Sequence, residues 1–172
     1  MVAPASPILP RIVACDPGSM RSAIVVYDPL APAAVVSADL WSNEETRVAL
    51  RGDVLRVHRP AVLVVEMPVA SGMPASNDLF VTIRWIGRFV ESWAGEVAYV
   101  HRPDVKLHVC GSRAARDPNV RAALIDRFGG EGAIGTKRMP GPLYGVAKDM
   151  WAALAVAVTY GDQLREGARR TA

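Results

Sequence analysis

RIVACDPGSMRSAIVVY, residues Arg11 to Tyr27, decides the fold. Ile12 to Cys15 and Ser22 to Tyr27 are short apolar runs of strand length. Between them, Asp16-Pro17-Gly18-Ser19-Met20-Arg21 carries Pro-Gly turn chemistry, so the two runs predict an antiparallel hairpin. Asp16 ends the first run. A carboxylate at the end of a buried strand loses part of its hydration and calls for a counter-charge.

Working outward, Val35 to Leu40 reads as a third strand, entered through the turn Asp28-Pro29. Asn43-Glu44-Glu45 offers an N-cap and first-turn acids for a helix reaching about Val57, with Val48, Leu50, Val54 and Leu55 as its apolar stripe. Val62 to Val65 is a continuous apolar run, as expected of a strand covered on both faces, and Glu66 closes it. A Gly/Pro/Ser loop follows over Val69 to Ser76. Ser76 or Asn77 then caps a helix extending to about Trp93, with Phe80, Ile83, Ile86, Gly87 and Val90 at helical spacing. Val97 to Val100 is a short strand, and Val105 to Cys110 reads as the end of a further strand or the start of a turn. Asp117-Pro118 opens a helix running to Phe128, where Gly129-Gly130 stops it. Glu131 to Tyr144 is a Gly/Pro-rich basic loop, and the final helix covers about Val146 to Arg165.

Antiparallel strands first and parallel crossovers later predict one mixed sheet with helices on both faces. That arrangement allows Asp16 and Glu66 to lie on adjacent central strands, and the start of the last helix to bring Asp149 beside them. The organisation expected is a lead at 1–10, one domain over 11–165 and a charged tail at 166–172, with no internal repeat or linker.

Composition narrows the classes. A chain of 172 residues with 51% hydrophobic content suits one domain with a full core and excludes a disordered or fibrous protein. The run Met150 to Tyr160 is too short to cross a bilayer, and Met1 to Pro10 lacks the charged segment of a signal peptide. Cys15 and Cys110 are too few for a disulfide framework or structural zinc site; two buried free thiols in strand-like runs fit a reducing cytoplasm. Net charge is only +3, but Arg102, Lys106, Arg113, Arg116, Arg121, Arg127, Lys137 and Arg138 crowd into one stretch. A solvated basic face is one reading. A phosphate-tracking surface for nucleic acid is the other, and the position of these charges between Glu66 and Asp149 favours it.

Asp16, Glu66 and Asp149 together suit hard divalent ions such as Mg²⁺, which take oxygen ligands and keep water. Gathered without metal, such acids repel one another, and their pKa values should rise. Taken singly, Asp16 also reads as a turn acid, and Asp149 as a first-turn acid favoured by the helix dipole. Glu66 has no comparable bland reading.

Arg11 to Tyr27, with its Asp-Pro-Gly, is similar to the opening hairpin of RuvC-type Holliday-junction resolvases. Val64-Val65-Glu66 resembles that family's second acidic strand end, and Asp149 to Thr159 (DMWAALAVAVT) its last helix. The resemblance spans Ile12 to Tyr160. It implies a ribonuclease-H-like α/β fold and a homodimeric endonuclease that cuts four-way DNA junctions with Mg²⁺ or Mn²⁺. By position, it implies that Asp16, Glu66 and Asp149 are catalytic metal ligands. Lys106 and Arg116 fall near the family's basic residues beside the cleaved strand. Arg113, Lys137, Arg138 and Lys148 are further DNA-binding candidates, Lys148 reading equally as a solvated helix-start lysine. Met73 and Phe80 are candidates for an apolar wedge at an opened junction. Trp85, Phe89 and Trp93 read as core or dimer interface, within a dimer helix from Asn77 to Trp93.

One departure stands out: the family's fourth acid falls at Ala152, which cannot bind metal. The alternative to an active nuclease is therefore an impaired branched-DNA-binding module. Compact members of this family occur in phages and prophages. A sugar-kinase or actin-like half also opens with an acid-bearing hairpin, but this chain is too short for the two-domain cleft and lacks a second Gly-rich phosphate loop.

Overall fold

The computed structural model describes residues 9–31, 34–52, 55, 61–69, 72 and 74–170. Five strands, β1 (Arg11–Asp16), β2 (Arg21–Tyr27), β3 (Val35–Ser42), β4 (Ala61–Met67) and β5 (Val97–His101), form one sheet in the order β3-β2-β1-β4-β5. The first three pair antiparallel, whereas β1 with β4 and β4 with β5 pair parallel. This is the mixed sheet and opening hairpin expected from the sequence, a ribonuclease-H-like α/β fold.

Strand parity divides the core. Ile12 and Ala14 of β1, with Val62 and Val64 of β4, face one side; Val13 and Cys15, with Leu63 and Val65, face the other. The first side is covered by α3 (Arg102–Cys110), α4 (Asp117–Arg127) and α5 (Met150–Arg170), and the second by α1 (Asn43–Arg51) and α2 (Asn77–Ser92). Asp16 and Glu66 are even-numbered like Ile12 and Val62, so the two-residue period aims both acids at the α5 side. In the β1–β4 pairing Cys15 faces Val65, which makes Asp16 and Glu66 the next neighbours along the ladder.

Helix α5 is the central packing element on that side. Ala153, Leu154, Ala155, Val156, Ala157 and Val158 are all buried. Its small residues let the helix approach the strands closely. A Cβ at Gly161 would stand 3.1 Å from Tyr27 Cε1 and 3.4 Å from Ile12 Cδ1. Among the described residues, no helix is long and apolar enough to cross a membrane.

Several local expectations are corrected. Val105 to Cys110 is neither strand nor turn but belongs to α3, where Pro103 presets the first turn and Asp104 complements the helix dipole. Cys110 is consequently a half-buried helical thiol, whereas Cys15 is buried in β1. Helix α1 ends at Arg51, because the chain turns extended at Gly52. Of its expected stripe Leu50 is buried, Val48 is exposed, and Val54 lies outside the described residues. The α1 cap is Ser42, not Asn43: Ser42 and Glu45 form a reciprocal capping box. Helix α5 begins at Met150 rather than Val146 and runs on to Arg170.

Candidate active site

The turn after β1 holds Asp16 by a buried polar knot. Asn43 accepts from the Ser22 hydroxyl at 2.7 Å and donates to the Gly18 carbonyl at 3.0 Å, while the Gly18 N–H donates to Ser22 Oγ at 3.3 Å. Gly18 is required by close approach, since a Cβ there would lie 2.4 Å from the Arg21 carbonyl oxygen. The knot explains why Asn43 is buried: its side chain secures the turn carrying Asp16 rather than capping a helix.

Asp16 and Glu66 meet at the carboxyl ends of the adjacent strands β1 and β4, close enough for the charge of one to act on the other. Burial, then the Glu66 charge, push the Asp16 pKa from 3.8 up to about 8; Arg102 opposes the rise and Asp149 adds to it. The rise expected for crowded acids is therefore present at Asp16. The same burial, with Asp16 and Glu66 nearby, raises the Cys15 thiol well above its ordinary value.

These acids line a cleft of about 580 Å³ together with residues of α3, α4, α5 and the segment leading into α5. Asp149 lines it too, exposed, immediately before α5. Lys148 precedes it in a left-handed conformation, φ 51°, which is uncommon for a side chain of this kind. The cleft balances four carboxylates (Asp16, Glu66, Asp117, Asp149) against four cations (Arg102, Lys106, Arg121, Lys148). Ala152 also lines it.

Arg102, Asp117 and Arg121 are the charged cleft residues that sequence reasoning did not single out as site residues. Arg102, the first residue of α3, donates to Glu66 Oε2 and to Asp117 Oδ1, both at 3.0 Å. Burial works against its charge, but Glu66, Asp16 and Asp117 together hold its pKa above the ordinary value. The signal that would have found it is positional: Arg102 directly follows a strand parallel to β4, and the carboxyl ends of parallel strands converge on a common crevice.

The remaining candidates disperse. Lys106 lines the cleft, 3.7 Å from Asp117. Arg113 pairs with Asp104 at 2.9 Å, and Arg116 is exposed at the start of α4. Lys137 and Arg138 are exposed at the tip of a small hairpin closed by Thr136 and Met139, which exchange backbone hydrogen bonds. Phe80 is exposed on α2, and Met73 lies outside the described residues. Phe89 and Trp93 are core, and Trp85 packs beside them. His108, on α3, shares a hydrogen bond with Asp162 at 2.8 Å. Burial raises Asp162, but hydrogen bonds from His108 and Arg127 outweigh it and hold that carboxyl below its ordinary value. This cluster ties α3, α4 and α5 together.

The hard oxygen donors of Asp16 and Glu66 fit a divalent cation, because burial and the neighbouring Glu66 charge raise the Asp16 pKa even with Arg102 opposing, and a cation would offset that cost. Asp149 is close enough to raise the Asp16 pKa, yet among the described residues no three His, Cys, Asp or Glu side chains converge tightly enough to hold an ion. The structure thus contains an acid pair at two strand ends, with a third acid lining the same cleft.

A mixed sheet in the order β3-β2-β1-β4-β5, covered on one face by a final Ala-rich helix, is a ribonuclease-H-like fold. Within that class the fold is RuvC-type. The chain is similar to Thermus thermophilus RuvC, with a TM-score of 0.66, 18% identity, and coverage of 92% of this chain and 97% of that one. It is likewise similar to T. thermophilus RuvC solved in complex with a Holliday junction substrate, with a TM-score of 0.67, 18% identity and coverage of 93% and 98%. No protein-family model and no curated protein sequence matches the chain.

Proposed function

We propose that this protein is a divalent-metal-dependent endonuclease that resolves four-way or other branched DNA junctions by phosphodiester hydrolysis. The observation that carries the reading is the Asp16–Glu66 pair at the ends of the neighbouring strands β1 and β4, inside a cleft also lined by cations. The likeness to a RuvC bound to a Holliday junction supports the choice of substrate.

Asp16, Glu66 and Asp149 would hold Mg²⁺ or Mn²⁺. Such an ion, when bound, lowers the pKa of water and neutralises charge developing on the phosphate. The protein itself has three tasks here. The buried knot at Ser22 and Asn43 fixes the Asp16 turn, Lys106 faces the cleaved strand, and Arg113, Arg116, Lys137, Arg138 and Lys148 track flanking phosphates. Phe80, exposed on α2, is the apolar candidate for an opened junction centre. A homodimer formed through α2 places two sites on the two strands to be cut.

Ala152 favours a second reading, because it faces the cleft where a further carboxylate would sit. In that reading the chain binds branched DNA without cutting it. One gel assay separates the two, using a labelled junction, a matched duplex and an RNA–DNA hybrid in Mg²⁺, Mn²⁺ or EDTA. Paired symmetric nicks in the junction alone, lost in EDTA and in Glu66→Ala, establish the nuclease. Binding without cuts, together with cutting gained in Ala152→Asp, establishes the impaired module. Unchanged cutting by Glu66→Ala removes the acid pair from the mechanism.

A further inference from the structure

We propose that Arg102 and Lys106 form a phosphodiester subsite at the mouth of the acid cleft, and that the Asp117 carboxylate fills this subsite until nucleic acid displaces it. The proposal rests on the nucleic-acid reading above and deepens it.

A cleft that carries Asp16, Glu66 and Asp149 repels a phosphate unless cations are held at the point of entry. Arg102 and Lys106 stand at that point, four residues apart and thus on one face of α3. Both converge on a single oxygen, Asp117 Oδ1, at 3.0 Å from Arg102 and 3.7 Å from Lys106. An oxyanion position between two cations is therefore already marked. The other guanidinium nitrogen of Arg102 is anchored on Glu66 at 3.0 Å, so the marked position lies directly beside the acid pair.

The occupant is suited to leave. The Asp117 side chain is 73% exposed and sits at the first turn of α4, where solvent competes for it. Its partners are fixed more firmly: the Lys106 side chain is 20% exposed, and Arg102 is held by the nearly buried Glu66. Asp117 offers one oxygen to both cations. A phosphodiester offers two non-bridging oxygens, one for each, and a guanidinium fork favours such an arrangement. Exchange conserves charge, because one monoanion replaces another. Asp117 also screens the two cations from other anions, so occupancy of the subsite depends on a ligand that binds at additional points along the surface.

The test is equilibrium binding of a fluorescein-labelled four-way junction and of a single-stranded oligonucleotide, in EDTA so that no cutting intervenes. Asp117→Asn should tighten binding by about fivefold at low salt, the size expected for removing one competing charge in a largely hydrated site. That gain should vanish when Asp117→Asn is placed on Arg102→Gln plus Lys106→Gln. Asp126→Asn removes the same charge from an exposed position of the same helix outside the cleft, and should change affinity less than twofold. Equal effects of Asp117→Asn and Asp126→Asn, weakened binding by Asp117→Asn, or a gain that persists without both cations would each overturn the subsite. If wild type binds the junction but Asp117→Asn behaves like the control, only the subsite falls. If neither binds any nucleic acid, the functional reading falls with it.

Discussion

Replacing Asp16 by Asn should stabilise the metal-free protein near neutral pH and above, and remove a fall in stability with rising pH. Folded Asp16 keeps its proton up to about pH 8, whereas its ordinary pKa is 3.8. Between those values the folded state binds more protons than the unfolded chain, so stability falls as pH rises through that window. One such group sets a limiting slope of about 1.4 kcal/mol per pH unit. Over the window from pH 5 to pH 8 the loss should therefore be on the order of a few kcal/mol. Asparagine keeps the shape and a hydrogen-bonding group without the charge. The assay is urea unfolding of both proteins in EDTA at pH 5, 6, 7 and 8. Subtracting the two curves removes the groups that do not act on Asp16, the distant Asp162 carboxyl included. The gap should widen steadily in favour of Asp16→Asn toward pH 8, and Mg²⁺ should close it for wild type by replacing the proton. A gap independent of pH, or one favouring wild type at pH 8 in EDTA, would refute the argument that burial and Glu66 dominate the Asp16 environment.

Other consequences follow from the same geometry. Asn43→Ala leaves the Ser22 hydroxyl and the Gly18 carbonyl without their partner, and should cost about 1–3 kcal/mol by denaturant unfolding. It should also lower cutting more than binding, because the loosened turn carries Asp16. Gly161→Val drives a branched side chain against Tyr27 and Ile12, and should cost about 1–3 kcal/mol, read as a lowered Tm. Lys137→Ala plus Arg138→Ala should weaken junction and duplex alike, and reduce the slope of log K against log salt by about 1–2, with cutting of bound substrate unchanged.

Much of the fold was legible because local chemistry and global pattern agree. The Pro-Gly turn between two apolar runs could become little else than a hairpin, and Val62 to Val65 could be satisfied only by cover on both faces. Where sequence reading failed, tertiary context overrode a local signal. Val105, Leu107 and Val109 alternate like a strand, yet Pro103 and Asp104 start a helix whose buried contact is Val105. Asn43 has a capping side chain, but burial against Gly18 and Ser22 gave it another partner and left the cap to Ser42.

By itself the sequence determined the two strand-end acids, the hairpin and the Ala-rich final helix, because each depends on neighbours within a few residues. Parity and the parallel pairing of β1 with β4 put Asp16 and Glu66 on one face, next to each other. That conclusion needs the sheet order, which no local pattern encodes. Only the tertiary structure decided that Asp149 lines the same cleft as the strand-end acids and that Arg102 bridges Glu66 to Asp117. The physical reason is range. Turn and strand preferences act between sequence neighbours, whereas Arg102 and Glu66 meet only after a crossover through α2 has aligned two strand ends and burial has left each charge in need of the other.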